Sequence, residues 1–87
     1  MNDWIDIKER EPETKVTFST MLEQEEKSEL VLVKGINQHD NAFEEKAELV
    51  NFCNWQGKWR TGWWYPSKKY YGVYENITHW KPINNEE

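Results

Sequence analysis

Six tryptophans, four tyrosines and three phenylalanines stand in a chain of 87 residues, and nine of these thirteen rings fall between Trp55 and Trp80. A chain this short buries only about 60–65% of its unfolded surface, so its core is small. With few Leu and Ile to draw on, it has to fill that core with rings, each of which buries on the order of 150–250 Å². The rings also fall in strand-like stretches. From Lys58 to Tyr65 the sequence alternates, with Trp59, Thr61, Trp63 and Tyr65 on one face and Arg60, Gly62 and Trp64 on the other. Adjacent side chains of a strand point to opposite faces, so Trp63 and Trp64 are both buried only if both faces of the sheet are covered.

Other segments read as strands too. Val16 and Phe18 alternate with small polar residues. Leu30 to Val33 is an unbroken apolar run, too short for a helix and β-branched at two positions, and Gly35 ends it. Gln56-Gly57 supplies a turn, and Pro66-Ser67 breaks the strand that follows. Residues 70–74 and 76–80 are short extended pieces. Residues 41–53 stay open between two readings. Asn41 with Glu44 resembles a capping box, and Phe43, Ala47 and Val50 share a helical face. Leu49 to Cys53 reads as a strand. Between Thr20 and Glu29, four glutamates and only Met21 and Leu22 as anchors favour an exposed acidic loop. The expected fold is mostly β within the α+β class: a small twisted antiparallel sheet of four or five strands with at most one short helix. It is expected to be one domain over residues 1–83, with residues 84–87 as a frayed tail.

Eleven basic residues against sixteen acidic ones give a formal charge of −5, which argues against generic duplex binding. The charge is uneven. Residues 1–34 carry five basic and nine acidic side chains, residues 35–57 one and four, and residues 58–87 five and three. No window approaches a membrane span, and the acidic opening stretch does not read as a signal peptide. A single cysteine, Cys53, makes no internal disulfide and fits a reducing, cytoplasmic setting.

Chemistry-bearing motifs are thin. His39, His79 and Cys53 form a zinc site only if the fold gathers them, because such a site takes about three or four protein ligands. No glycine-rich phosphate loop is present. The expectation is no catalytic residue, no metal and no cofactor. Trp59 and Trp80, with Tyr70-Tyr71 between them and Pro82 after, resemble the WW domain that grips proline-rich peptides, although its upstream Leu-Pro is missing.

A second resemblance spans both ends of the chain. It rests on Trp4-Ile5-Asp6-Ile7, Arg10-Glu11-Pro12, Leu30 to Val33, Gly57-Lys58-Trp59 and Ile77-Thr78-His79-Trp80-Lys81-Pro82-Ile83. These segments resemble the Domain of Unknown Function 551 family of small phage, prophage and bacterial proteins. Glu11 stands where that family usually has Leu, and residues 14–29 look like an insertion. The resemblance implies a small β-rich fold and a phage-like origin, and it implies no activity or site residues. It would bring Trp4, the Leu30–Val33 strand, Trp59 and Trp80 into one core.

Two candidate surfaces follow. The first is aromatic and basic: Trp55, Arg60, Trp63, Trp64, Lys68, Lys69 and Tyr70, with His79 opposite its strand neighbours. Such a surface suits single-stranded nucleic acid, whose bases stack on rings while cations follow the backbone. The second is acidic: Glu23, Glu25, Glu26 and Glu29, suited to the basic groove of a protein partner. The leading expectation is a non-enzymatic, phage-type protein that binds a host or defence protein and inhibits it through the acidic surface. The alternative is nucleic-acid or other ligand binding by residues 55–71. A homodimer through an edge strand is a further expectation.

Overall fold

A computed structural model describes residues 4–83; residues 84–87, expected to fray, lie outside that range. Eight strands form one antiparallel sheet. They are β1 (Ile5–Asp6), β2 (Thr14–Ser19), β3 (Gln24–Ser28), β4 (Val31–Ile36), β5 (Ala42–Cys53), β6 (Trp59–Tyr65), β7 (Tyr70–Val73) and β8 (Ile77–Pro82). One turn of 3-10 helix, Tyr74–Asn76, joins β7 to β8. The mostly-β class is as expected, but the sheet has more strands than the expected four or five.

The long strand β5 organises the sheet. Strands β4 and β3 lie end to end along one of its edges, and β6 lies along the other. Lys27 pairs with Val50 and Val31 with Ala47, so β5 advances three residues while the facing chain advances four. The extra residue makes a bulge at the β3–β4 junction, and bulges sharpen local twist. Beyond β4 come β8 and then β1; beyond β3 comes β2; beyond β6 comes β7.

One open reading is resolved and one local expectation is corrected. Residues 41–53 carry no helix: β5 runs unbroken from Ala42, and the spacing of Phe43, Ala47 and Val50 only coincides with a helical face. The inner set is Phe43, Glu45, Ala47 and Leu49, at the period of two that a strand requires. The acidic segment is also not a loop. Thr20 to Glu23 makes a tight turn, in which Thr20 Oγ1 accepts from the N–H groups of Leu22 and Glu23. Strand β3 follows, zipped between β2 and β5.

Cross-strand pairing sorts the side chains onto two faces. The inner face holds the core: Val31 and Val33 of β4, Ala47 and Leu49 of β5, Trp63 and Tyr65 of β6, and Ile77 and Trp80 of β8, together with Ile7. Burying Val33, Leu49 and Ile77 contributes roughly 1.5–3 kcal/mol each. Trp63 is fully buried and stacks on Tyr74 with ring centroids 6.4 Å apart. The indole N–H of Trp80 donates to Arg10 O at 2.8 Å while the Arg10 guanidinium covers its ring, tying the early chain to the last strand. Trp59 does not join this core. It lies on the same face as Trp63 but beyond the far end of the cluster, and it is 52% exposed. Trp4 is half-buried, and it lies on the other side of the sheet from Trp80, between two lysines.

Candidate functional site on the outer sheet face

The outer face is laid out by the same pairing. Val50 and Phe52 of β5 face Gly62 and Arg60 of β6 on one side and Lys27 and Glu25 of β3 on the other. Trp64 of β6 faces Tyr71 of β7, and their rings meet at a 4.9 Å centroid separation. Gly62 puts no side chain between Trp64 and Arg60, and this leaves an open groove of about 520 Å³. Glu25, Val50, Phe52, Arg60 and Tyr71 line it. Glu25 and Arg60 flank Phe52 from opposite sides, so the groove offers one charge of each sign around an aromatic floor.

The face also collects cations. Every Lys or Arg within a described strand is on it: Lys15, Lys27, Lys34, Lys46, Arg60 and Lys81. Asp6, Glu25, Glu44 and Glu48 are interleaved among them, and Lys27 Nζ sits 3.8 Å from Glu48. At the β1–β8 end, Lys34 and Lys81 each place Nζ 4.7 Å from the Trp4 ring centroid. Cation–π contacts of this kind contribute about 0.5–1 kcal/mol at exposed sites.

The residues singled out from sequence scatter across the structure. Arg60 and Trp64 are brought together on the outer face, and His79 lies on that face beside Asp6 and Lys34. Trp63 is excluded from any binding surface, because its position in β6 points it into the core. Trp55 is exposed in the turn between β5 and β6, away from the groove. Lys68 and Lys69 occupy the β6–β7 turn; Lys68 Nζ lies 3.8 Å from Glu45, and Lys69 adopts the left-handed conformation at φ 51°. Tyr70 is on the inner side of β7, its ring stacked on that of Tyr65. The four glutamates do not share a face. Glu23 closes a turn, Glu25 points to the outer face, Glu26 to the inner one, and Glu29 sits at the bulge.

Tyr71 belongs to the aromatic–basic stretch 55–71, whereas Phe52, Val50 and Glu25 lie outside it; the alternation of Val50 and Phe52 is the one local signal for them. Their contact depends on the pairing of four strands, which no single stretch of sequence displays.

Two tyrosine hydroxyls are perturbed on the inner side. Burial, reinforced by the charges of Tyr70 and Glu45, pushes Tyr65 up to about 12. Burial, reinforced by the hydrogen bond it donates to Glu11, pushes Tyr74 up to about 12. Tyr74 therefore keeps its proton, and its hydrogen bond to Glu11, above pH 10. No group of three or more His, Cys, Asp or Glu suited to a metal ion occurs among the described residues. No helix among them is long and apolar enough to cross a membrane.

In comparisons with known proteins the chain matches no family model, no curated protein and no solved structure. The resemblance to the Domain of Unknown Function 551 family therefore rests on its residue pattern.

Proposed function

We propose that this is a non-enzymatic binding protein that grips another protein through the outer-face groove around Arg60. The observation that carries this reading is the cluster of Phe52, Arg60, Trp64 and Tyr71 around the gap at Gly62. Trp, Tyr and Arg dominate the energetic centres of protein interfaces, where each fills or lines a pocket that excludes water. Glu25 beside Arg60 adds a charge of each sign, which orients a partner more than it strengthens binding. The formal charge of −5 works against a polyanionic ligand. The phage-like sequence pattern makes a host or defence protein the kind of partner that fits, in a cytoplasmic setting. An acidic inhibitory surface fits less well, because strand alternation divides Glu25 from Glu26.

The test compares proteins captured from a bacterial lysate by the wild type, by Phe52→Ser/Tyr71→Ser, and by Trp59→Ser on the opposite face. A partner held by the wild type and by Trp59→Ser, and lost by the double variant, supports the reading. Equal capture by all three overturns it.

The second reading is single-stranded nucleic acid, favoured by the gathering of all six strand cations on the face that carries Phe52, Trp64 and Tyr71. Oligonucleotide quenching of tryptophan fluorescence that weakens with salt would move the assignment there.

A further inference from the structure

The sheet has exposed edges, and they are not equally guarded. Natural proteins protect an edge strand with lysine, proline, a bulge or extreme shortness, because its unpaired N–H and C=O groups template pairing with another chain. At one end β1 is two residues long. At another, β2 carries Lys15 and a register break between Val16 and Phe18. Strand β7 has none of these devices. Tyr70-Tyr71-Gly72-Val73 contains no charge, no proline and no bulge, and it pairs only with β6 among the described residues. Its three side chains are 57%, 53% and 56% exposed.

We propose that β7 pairs antiparallel with β7 of a second copy of this chain, forming a symmetric dimer. A twofold axis through the sheet keeps outer residues opposite outer residues, so only registers of matching parity are allowed. The register centred on Gly72 sets Tyr71 of each copy beside Val73 of the other, an aromatic–β-branched pair of the kind that stabilises sheets. Just past the ladder it brings Lys69 of each copy toward Glu75 of the other, giving two charge pairs. The alternative register, centred on Tyr71, sets Lys69 against Val73 and matches no charges. Gly72 at the axis presents no side chain of its own, and the Tyr65 ring occupies the place where its Cβ would stand. The dimer joins the two outer faces into one, with both Tyr71 rings near the seam, and it does not depend on what fills the groove.

The experiment is sedimentation velocity over a concentration series, with far-UV circular dichroism confirming that each variant is folded. The wild type is expected to pass from monomer to dimer with rising concentration. Lys69→Glu should weaken the dimer by about tenfold, because two exposed attractions become repulsions. The charge swap Lys69→Glu/Glu75→Lys should restore it. Val73→Lys, which places a cation on the bare edge, should give monomer throughout. A wild type that stays monomeric overturns the proposal. So does a dimer indifferent to Val73→Lys, or one that the swap fails to restore.

Discussion

The backbone N–H of Leu49 donates to the side-chain oxygen of Ser28 at 2.8 Å, across 21 residues of chain. Both residues are buried. Ser28 lies at the bulge where β3 gives way to β4, the place where β5 would otherwise lose a partner for this amide. Ser28 Oγ in turn donates to Glu29 O at 2.8 Å. One hydroxyl thus stands in for a missing rung of the ladder. Ser28→Ala should destabilise the fold by about 1–3 kcal/mol, since it leaves a buried N–H unsatisfied. The midpoint of urea unfolding should fall with little change in slope; an unchanged midpoint would contradict the role assigned to Ser28.

Gly35 and Gly57 are required for different reasons, and substitution separates them. A Cβ at Gly35 would stand 1.8 Å from Asn76 O, where the backbone before β8 crosses β4. Backbone cannot swing aside, so Gly35→Ala should cost more than about 3 kcal/mol or prevent folding. Gly57 has open space around it but a φ of 80°. Gly57→Ala should therefore cost only about 1–2 kcal/mol, the strain of a left-handed alanine. Thermal unfolding of the two variants side by side checks the ranking, and equal losses would refute it.

The raised tyrosines couple stability to alkaline pH. Tyr65 and Tyr74 move from 10.0 to about 12 on folding, chiefly through burial. Their contribution is fully present below pH 10. Between 10 and 12 the unfolded chain loses these protons while the folded chain keeps them, so stability falls as pH rises through that window. Urea unfolding measured across it should show the decline, and Tyr74→Phe should flatten part of it. A variant with the same slope as the wild type would show that Tyr74 is not a source.

Strands β4 and β6 were legible because each sets two apolar residues into the core: Val31 and Val33 within the run Leu30 to Val33, Trp63 and Tyr65 within the alternation Trp59 to Tyr65. Strand β3 was not, for a physical reason. Gln24 to Ser28 has no apolar side chain, and its strand conformation comes from backbone pairing with Val50–Cys53, far away in sequence. β-Propensity reports fit to a half-buried surface, and such a strand gives it nothing to report. The groove was half legible. The alternation of Arg60 and Trp64 put them on one face, but Phe52 and Tyr71 reach them through register. Trp63 went the other way: an aromatic beside cations in sequence became core because its neighbour took the outer face.

The six tryptophans provide a direct check on that division. Trp63 and Trp80 are buried, whereas Trp55 and Trp59 are 66% and 52% exposed. Both exposed rings lie where β5 turns into β6, beyond the end of the core. Acrylamide should therefore quench an accessible, red-shifted component and leave a protected one. Trp55→Phe/Trp59→Phe should remove most of the accessible component at little cost in stability, since surface substitutions usually change it by no more than about 0.5 kcal/mol. Trp63→Phe should have the opposite effect. It leaves the accessible component intact and lowers the unfolding midpoint, because a smaller ring replaces the indole stacked on Tyr74 and leaves a void beside it. Uniform quenching across the wild-type tryptophans would mean that Trp63 is not sealed inside the sheet, and the separation of inner and outer faces would fail with it.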